Sequence, residues 1–365
     1  MFASVSRQTF RTGAVYCRTP KLVQPTFVGM TSRSVSSFQA WRVQELDDGS
    51  FQGSEQTMSI NDLPEHDTLI RVTHSSLNYK DALSAVGNKG VTKQYPHTPG
   101  IDAVGVNDAG DFVIVTGYDL GMNTDGGFGE YIRVPREWCA AVPSQWKDDP
   151  RQAMVYGTAG LTAGLCVQKL LRMGASPHQG KVVVTGASGS VGSVAVEILS
   201  RLGFDVVAVS GKKPDLLKEL GASEIIGREA LDASKKPLLK PVFANAVDTV
   251  GGTPLVELLK QIRPGGSVAC CGLVAGPKLE ATVFPFILRG VNLLGVDSVE
   301  IPVSDKQAVW DKLAGEWNCP VTTAKNARDI GRHELDACLK AYLKGESSGK
   351  IVLDHSLTKY QQSGL

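Results

Sequence analysis

Residues Lys181–Ser193 read KVVVTGASGSVGS. Val182, Val183 and Val184 are consecutive β-branched residues, the apolar run of a buried parallel strand. Gly186, Gly189 and Gly192 punctuate the turn beyond that run, and Val191, Val194, Ala195, Ile198, Leu199 and Leu202 then recur at helical spacing. The stretch therefore predicts a strand, a tight turn and an amphipathic helix. Such a turn presents backbone N–H groups and the positive end of a helix dipole to an anion, which makes Ser188, Gly189, Ser190 and Val191 candidate holders of a pyrophosphate.

The spacing is G-x-x-G-x-x-G, whereas the dinucleotide fingerprint is G-x-G-x-x-G, so context must carry the reading. A second strand, Asp205–Val209, ends about 20 residues after the turn, where a dinucleotide site places its ribose-reading residue. An NAD-preferring site would have Asp or Glu there; this chain has Ser210, Gly211, Lys212 and Lys213. A hydroxyl and two cations suit a 2′-phosphate, so NADPH is the expected cofactor, with Arg228 as a further phosphate contact. The plainer alternative is that Lys212 and Lys213 only open a solvated helix.

The chain has 365 residues, enough for two domains with sizeable cores. A net charge of +1 gives no global field toward nucleic acid or an anionic membrane, so neither is an expected partner. No window approaches the length of apolar sequence that a membrane helix needs. The seven cysteines show no C-x-x-C spacing and no histidine cluster, which argues for a reducing compartment and against a zinc site. His97 has no partner at metal spacing, and no metal is expected.

Residues 1–37 differ from everything after them: they carry Arg7, Arg11, Arg18, Lys21 and Arg33, many Ser and Thr, and no acidic residue, the first carboxylate being Glu45. That is the composition of an organellar transit peptide, with mitochondrial import expected first and plastid import second; a disordered cytosolic extension is the alternative.

From Phe38 onward, runs at Phe38–Val43, Thr68–Val72, Phe112–Thr116 and Gly129–Val134, separated by Gly, Pro, Asn and Asp, predict a largely β, partly barrel-like region. Within it SSLNYKDALSAVG (Ser75–Gly87) places Asn78, Tyr79, Lys80 and Asp81 at a strand-to-helix junction. Asp81 and Lys80 could cap a short helix with Tyr79 a core aromatic, or Tyr79 and Asp81 could serve proton transfer and substrate positioning. A helix is predicted from Tyr156 to about Arg172, its glycine-rich start bringing Thr158 toward the cofactor. Strands at Ala244–Val250 and Gly266–Cys271 end in glycine, and Asn292–Val296 is the last strand of the sheet. Ligands sit outside the carboxyl ends of such strands, so Thr249, Gly272, Leu273, Val296 and Ser298 join Gly186 and Gly192 as candidate cofactor contacts. Helices near Asp305–Glu316 and Glu334–Leu343 and a strand at Lys350–Leu353 close the chain.

The folded part from about Phe38 to Leu353 resembles the medium-chain dehydrogenase/reductase superfamily, in its zinc-free, quinone-oxidoreductase-like branch that contains the acrylyl-CoA reductases. SSLNYKDAL, PGID (Pro99–Asp102), GTAGLTA (Gly157–Ala163), VVVTGASGSVGS, VVAVSGK, DTVGG and FPFILRGVNLLGVDSV (Phe284–Val299) carry the match. The segment Val104–Val115 is shorter than is common in that family. The resemblance implies an α/β fold: a Rossmann-type parallel sheet domain, 154–298, inserted in a largely β, GroES-like catalytic domain, 38–153 with 299–365. It implies NADPH-dependent reduction of the carbon–carbon double bond of acryloyl-CoA, an acyl-CoA small molecule as substrate, and a homodimer. By the same resemblance and by position, Tyr79 is the expected proton donor or orienter, supported by Asn78 and Asp81. An NADPH-dependent reductase of quinones or small enals, and a non-catalytic NADPH-binding protein, are the alternatives.

Overall fold

A computed structural model describes residues 36–346 and 349–357. The arginine-rich extension and Cys17 lie outside the described residues. In chain order the first elements are β1 (Ser37–Glu45), β2 (Phe51–Ser59), β3 (Thr68–Ser76), α1 (Tyr79–Ala85), β4 (Asp102–Asn107), β5 (Phe112–Thr116), β6 (Tyr131–Val134) and β7 (Ala140–Ala141). The middle of the chain forms α2 (Arg151–Arg172), β8 (Val182–Thr185), α3 (Ser190–Arg201), β9 (Val206–Val209), α4 (Pro214–Glu219), β10 (Glu224–Ile226), β11 (Asn245–Asp248), α5 (Gly252–Leu259), β12 (Ser267–Cys270), α6 (Phe284–Arg289) and β13 (Asn292–Gly295). The last elements are α7 (Val303–Ala314), α8 (Pro320–Lys325), β14 (Ala327–Ile330), α9 (Leu335–Leu343) and β15 (Lys350–Asp354).

Two sheets organise the fold. Six parallel strands run in the order β10-β9-β8-β11-β12-β13, the doubly wound Rossmann order, and the order reverses between β8 and β11. The central strands are buried along their whole length, which is why VVVT and VVAV read as unbroken apolar runs. The second sheet, β14-β15-β3-β4-β5-β7 with β6 on β3, is antiparallel apart from the β14–β15 pair. The short Val104–Val115 segment makes a tight β4–β5 hairpin: Asn107 Oδ1 accepts from the backbone N–H of Ala109 and Asp111, and the register sets Asp102 opposite Thr116.

α2 joins the two sheets. It begins at Arg151, five residues before the predicted start, and Gly157 interrupts it at φ 52° and ψ −162°. A Cβ there would lie 2.8 Å from Asp102 Oδ2 and closer still to Ser76 Oγ, so only glycine fits both the left-handed backbone and the space. The kink lets the helix start beside β3 and β4 and still pack on the Rossmann side, where its buried face meets Val194, Val309 and Trp310 in one apolar core. Buried Glu197 on α3 accepts from Val321 N, Thr322 N and Thr322 Oγ1 at 2.7–2.9 Å and fastens α8 to the same layer.

Candidate active site

At the switch point of the parallel sheet, β8 is followed by Gly186 at φ 58°, and Gly189 N–H donates back to Gly186 O at 2.9 Å. A Cβ on Gly192 would come within 2.7 Å of Ala187 Cα, so this glycine lets α3 press its N-terminus onto the turn. Ser190 and Val191 open that helix, and the resulting cradle of N–H groups fits a pyrophosphate. Ser188 Oγ lies 2.9 Å from Ser210 Oγ, which ties the turn to the exit of β9. Ser210 Oγ also accepts from Lys212 N at 3.1 Å, and the Arg228 guanidinium sits over Gly211, with Nε 4.0 Å from where a Cβ would stand. Ser210, Gly211 and the Arg228 guanidinium thus lie beside Ser188 with no carboxylate among them, and Lys212 at the same exit turns its ammonium to Gly345 O at 3.3 Å; hydroxyls and two cations at one exit suit a phosphate-bearing ribose. Lys213 sits left-handed at the start of α4; burial and its neighbour Lys212 push its pKa down.

The next exit is held by Asp248. Its carboxylate accepts from Thr185 Oγ1 at 2.7 Å and from Gly251 N at 2.8 Å, and burial pushes its pKa up. Thr249 is locked to Thr185 by its N–H and its hydroxyl, at 3.0 and 2.8 Å. A Cβ at Gly272 would sit 2.9 Å from Thr249 Cα, so the exits of β11 and β12 touch there. Leu273 beyond it is exposed, Val296 is half-buried, and buried Ser298 has its hydroxyl 2.8 Å from Thr162 Oγ1.

The centre of the second cluster is Asp102, fully buried at the head of β4. Its Oδ2 accepts from Ser76 Oγ, from Asn78 Nδ2 at 2.8 Å and from Thr158 N at 2.8 Å, and its Oδ1 accepts from Thr158 Oγ1 at 2.6 Å. Thr158 follows the Gly157 kink, so the kink aims this N–H at the carboxylate. Thr162 Oγ1 donates to Thr158 O at 2.7 Å, extending the chain to Ser298 and joining the cofactor side to the start of α1.

Tyr79 is 54% exposed at the first position of α1, which excludes the core-aromatic alternative. Asp81 is fully enclosed: its carboxylate accepts from Asn78 N at 2.7 Å, Ile101 N at 2.9 Å and Gly100 N at 3.2 Å. It therefore fixes the strand-to-helix junction and acts on the cleft through Asn78. Burial first, and the Asp102 charge second, push its pKa up to about 7. Lys350 Nζ donates to Tyr156 O at 3.0 Å, one residue before the kink, and burial pushes it down to about 7 against the pull of Asp102.

Asp102, Ser76, Thr162 and Lys350 were not among the expected site residues. A signal exists for two of them: Asp102 stands between Ile101 and Ala103, and Lys350 opens the apolar run KIVL, so each is a charge in a sequence that must be buried. Among the described residues no group of three or more His, Cys, Asp or Glu is placed to hold a metal ion, and no helix is long and apolar enough to cross a membrane.

A family described as zinc-binding dehydrogenase matches residues 190–315. The acrylyl-CoA reductase AcuI of Ruegeria pomeroyi is 38% identical over 334 residues, covering 85% of this chain and 97% of that protein. The structure of Escherichia coli YhdH with bound NADPH superposes with a TM-score of 0.82 at 41% identity, covering 87% of this chain and 99% of that one. Bacillus subtilis yhfP with NAD bound gives 0.83 at 41% identity, with the same coverage.

Proposed function

The chain belongs to the quinone-oxidoreductase-like, acrylyl-CoA reductase branch of the medium-chain dehydrogenase/reductase superfamily, and from that premise we propose that it reduces the carbon–carbon double bond of acryloyl-CoA, or a close short-chain enoyl thioester, with NADPH. The observation that carries this is the Asp102 hub, which links Asn78 beside the open Tyr79 hydroxyl to Thr158 and, through Thr162, to Ser298. Residues 154–298 hold the cofactor in this proposal, and 38–153 with 299–365 hold the substrate.

NADPH supplies a hydride when bound. The chain's own task is to place the enoyl group and to meet the charge that develops on the thioester oxygen with preorganised donors. Ser188, Ser210, Lys212 and Arg228 bind phosphate and fix the cofactor's far end. Asp102 holds Asn78 and Thr158 rigid on the two walls, and Asp81 pins the three backbone N–H groups that set where α1 begins. Tyr79 Oη is the exposed donor on that fixed helix start and faces the developing charge.

The product is an acyl-CoA, and the partner is a second copy of the chain. β13 is the free edge of the parallel sheet, and Leu279, Val283, Phe284, Ile287 and Leu288 are exposed immediately before it. An open edge beside contiguous apolar surface invites pairing with an identical edge. The acid-free N-terminal stretch supports mitochondrial import, which imaging of the tagged full chain tests.

The deciding experiment follows NADPH oxidation with enoyl-CoA esters of increasing chain length, with free enals and with quinones. Turnover should be fastest with acryloyl-CoA. Faster turnover of quinones or free enals would replace the substrate assignment, and NADPH binding without any substrate-dependent oxidation would make the chain a binding protein.

A further inference from the structure

The segment that leaves β13, from Val296 to Val299, carries the last two candidate cofactor contacts and is gripped from both sides. On the inner side, Ser298 Oγ meets Thr162 Oγ1 at 2.8 Å. On the outer side lies Lys306 of α7, 1% exposed. Its Nζ donates to Thr116 O at 2.7 Å, at the end of β5, and to Val299 O at 2.8 Å. It also stands 3.3 Å from the centre of the Tyr118 ring. Tyr118 in turn donates its N–H to Val299 O at 3.2 Å and its hydroxyl to Ile301 O at 3.0 Å, and its ring stacks on Trp138 at 5.2 Å.

The turn under Tyr118 is shaped for this contact. Gly117 and Tyr118 are both left-handed, at φ 73° and 51°, and a Cβ on Gly117 would lie 3.0 Å from Val299 Cα. A tyrosine held left-handed costs backbone energy, on the order of 1–3 kcal/mol, and such strain concentrates where position matters. A lysine buried this deeply usually has a carboxylate in contact. Among the described residues Lys306 has no ion-pair partner; carbonyl dipoles and an aromatic face satisfy it instead. Burial lowers its pKa to about 8, opposed by the more distant charges of Asp102, Glu300 and Asp297.

We propose that Lys306 is a positioning residue for the nicotinamide half of the cofactor, clasping the Val296–Val299 segment to the end of β5 so that Ser298 stays against Thr162 and in line with Thr158. The clasp rests on the NADPH assignment above. It acts on one half of the cofactor only, because the adenosine half is held by Ser188, Ser210, Lys212 and Arg228.

That asymmetry supplies the test. NADPH spans both halves, whereas 2′,5′-ADP carries the adenosine half alone. Binding of each is measured on the full chain and on Lys306→Met, with the primary deuterium isotope effect on hydride transfer from deuterated NADPH as a second readout. Lys306→Met should bind NADPH about tenfold more weakly, bind 2′,5′-ADP within about twofold, and show a larger isotope effect as alignment loosens. Equal affinity for both probes in the variant and the unaltered chain overturns the clasp, and so does an equal loss of both, which is the mark of a general structural role. Thr162→Val, isosteric and cutting the grip from the inner side, should give the same split and decides the matter if Lys306→Met does not fold. If the unaltered chain binds neither probe, the cofactor assignment falls and the clasp with it; if it binds both while the variants lose nothing, the clasp alone falls.

Discussion

Asp102→Asn tests the hub directly, because the exchange keeps the side chain's shape and removes its charge. Four donor contacts converge on the native carboxylate, from Ser76 Oγ, Asn78 Nδ2, Thr158 N and Thr158 Oγ1. The asparagine carbonyl can take the Oδ2 place with three of these donors, and its NH2 then faces Thr158 Oγ1, which can turn and accept. Three hydrogen bonds lose their charge assistance, at about 0.5–1.5 kcal/mol each, so the destabilisation should be about 2–4 kcal/mol. The same carboxylate orients Asn78 at the start of α1 and Thr158 on α2, so kcat/KM should fall about a hundredfold.

The loss should also depend on pH, with a sign fixed by Asp81. Its folded pKa is raised from 3.8 to about 7, so between those values the folded state holds a proton that the unfolded chain has released, and stability falls as pH rises through the window. Burial is the larger cause and survives the substitution; the Asp102 charge is the second and disappears. Above the window the unaltered protein bears the repulsion and the variant does not. Urea unfolding should therefore show a deficit about 1 kcal/mol smaller near about pH 8 than near about pH 5.5. A variant within about 0.5 kcal/mol of the unaltered chain would refute the hub, and a deficit independent of pH would refute its coupling to Asp81.

The other expectations are more local. Tyr79→Phe should leave the urea midpoint unchanged, because the ring is largely exposed, while acryloyl-CoA turnover falls about tenfold; full turnover would remove Tyr79 from the mechanism. Lys212→Glu should lower the preference for NADPH over NADH about tenfold to a hundredfold in kcat/KM, since a carboxylate would face the phosphate beside Ser210 and Arg228. Gly157→Ala should cost more than about 2 kcal/mol by thermal unfolding, because a methyl group meets Ser76 Oγ and Asp102 Oδ2 at a left-handed residue. Ile287→Glu should yield a monomer by light scattering with the fold intact; an unaltered oligomer would place the interface elsewhere.

The parallel sheet was legible because its strands are buried on both faces and its turns are made of glycine. The peripheral strands were not. β2 reads FQGSEQTMS and is largely exposed, β10 spans three residues, and β14 reads ARDI; none has the apolar run or clean alternation that marks a strand, and each is held by a neighbour already in place. The start of α2 was misplaced for a related reason. Gly157 looks like the beginning of a glycine-rich helix, but it is a break within a longer one, fixed by the crowding of Ser76 and Asp102 against it.

The two halves of the site differ in the same physical way. The proposed phosphate cradle lies within Val182–Lys212 apart from Arg228, and its shape is set by local backbone conformation, so the residues announce it. The Asp102 hub joins groups 24, 26 and 56 residues apart, and the Lys306 grip reaches Thr116 across 190. A charge in an apolar stretch shows that it must be satisfied, and Asp102 in β4 gives that signal; Lys306 gives none, because Ser304, Asp305 and Gln307 around it read as a solvated turn of helix although its side chain is buried. The signal carries no information about which donor answers, because the answer depends on two sheets and a kinked helix meeting at one point. The far end of the proposed cofactor site is thus written largely in contiguous sequence, whereas the proposed reaction centre exists only once the chain has folded, and substitutions at Ser76 or Lys306 should impair turnover although neither residue lies in a cofactor motif.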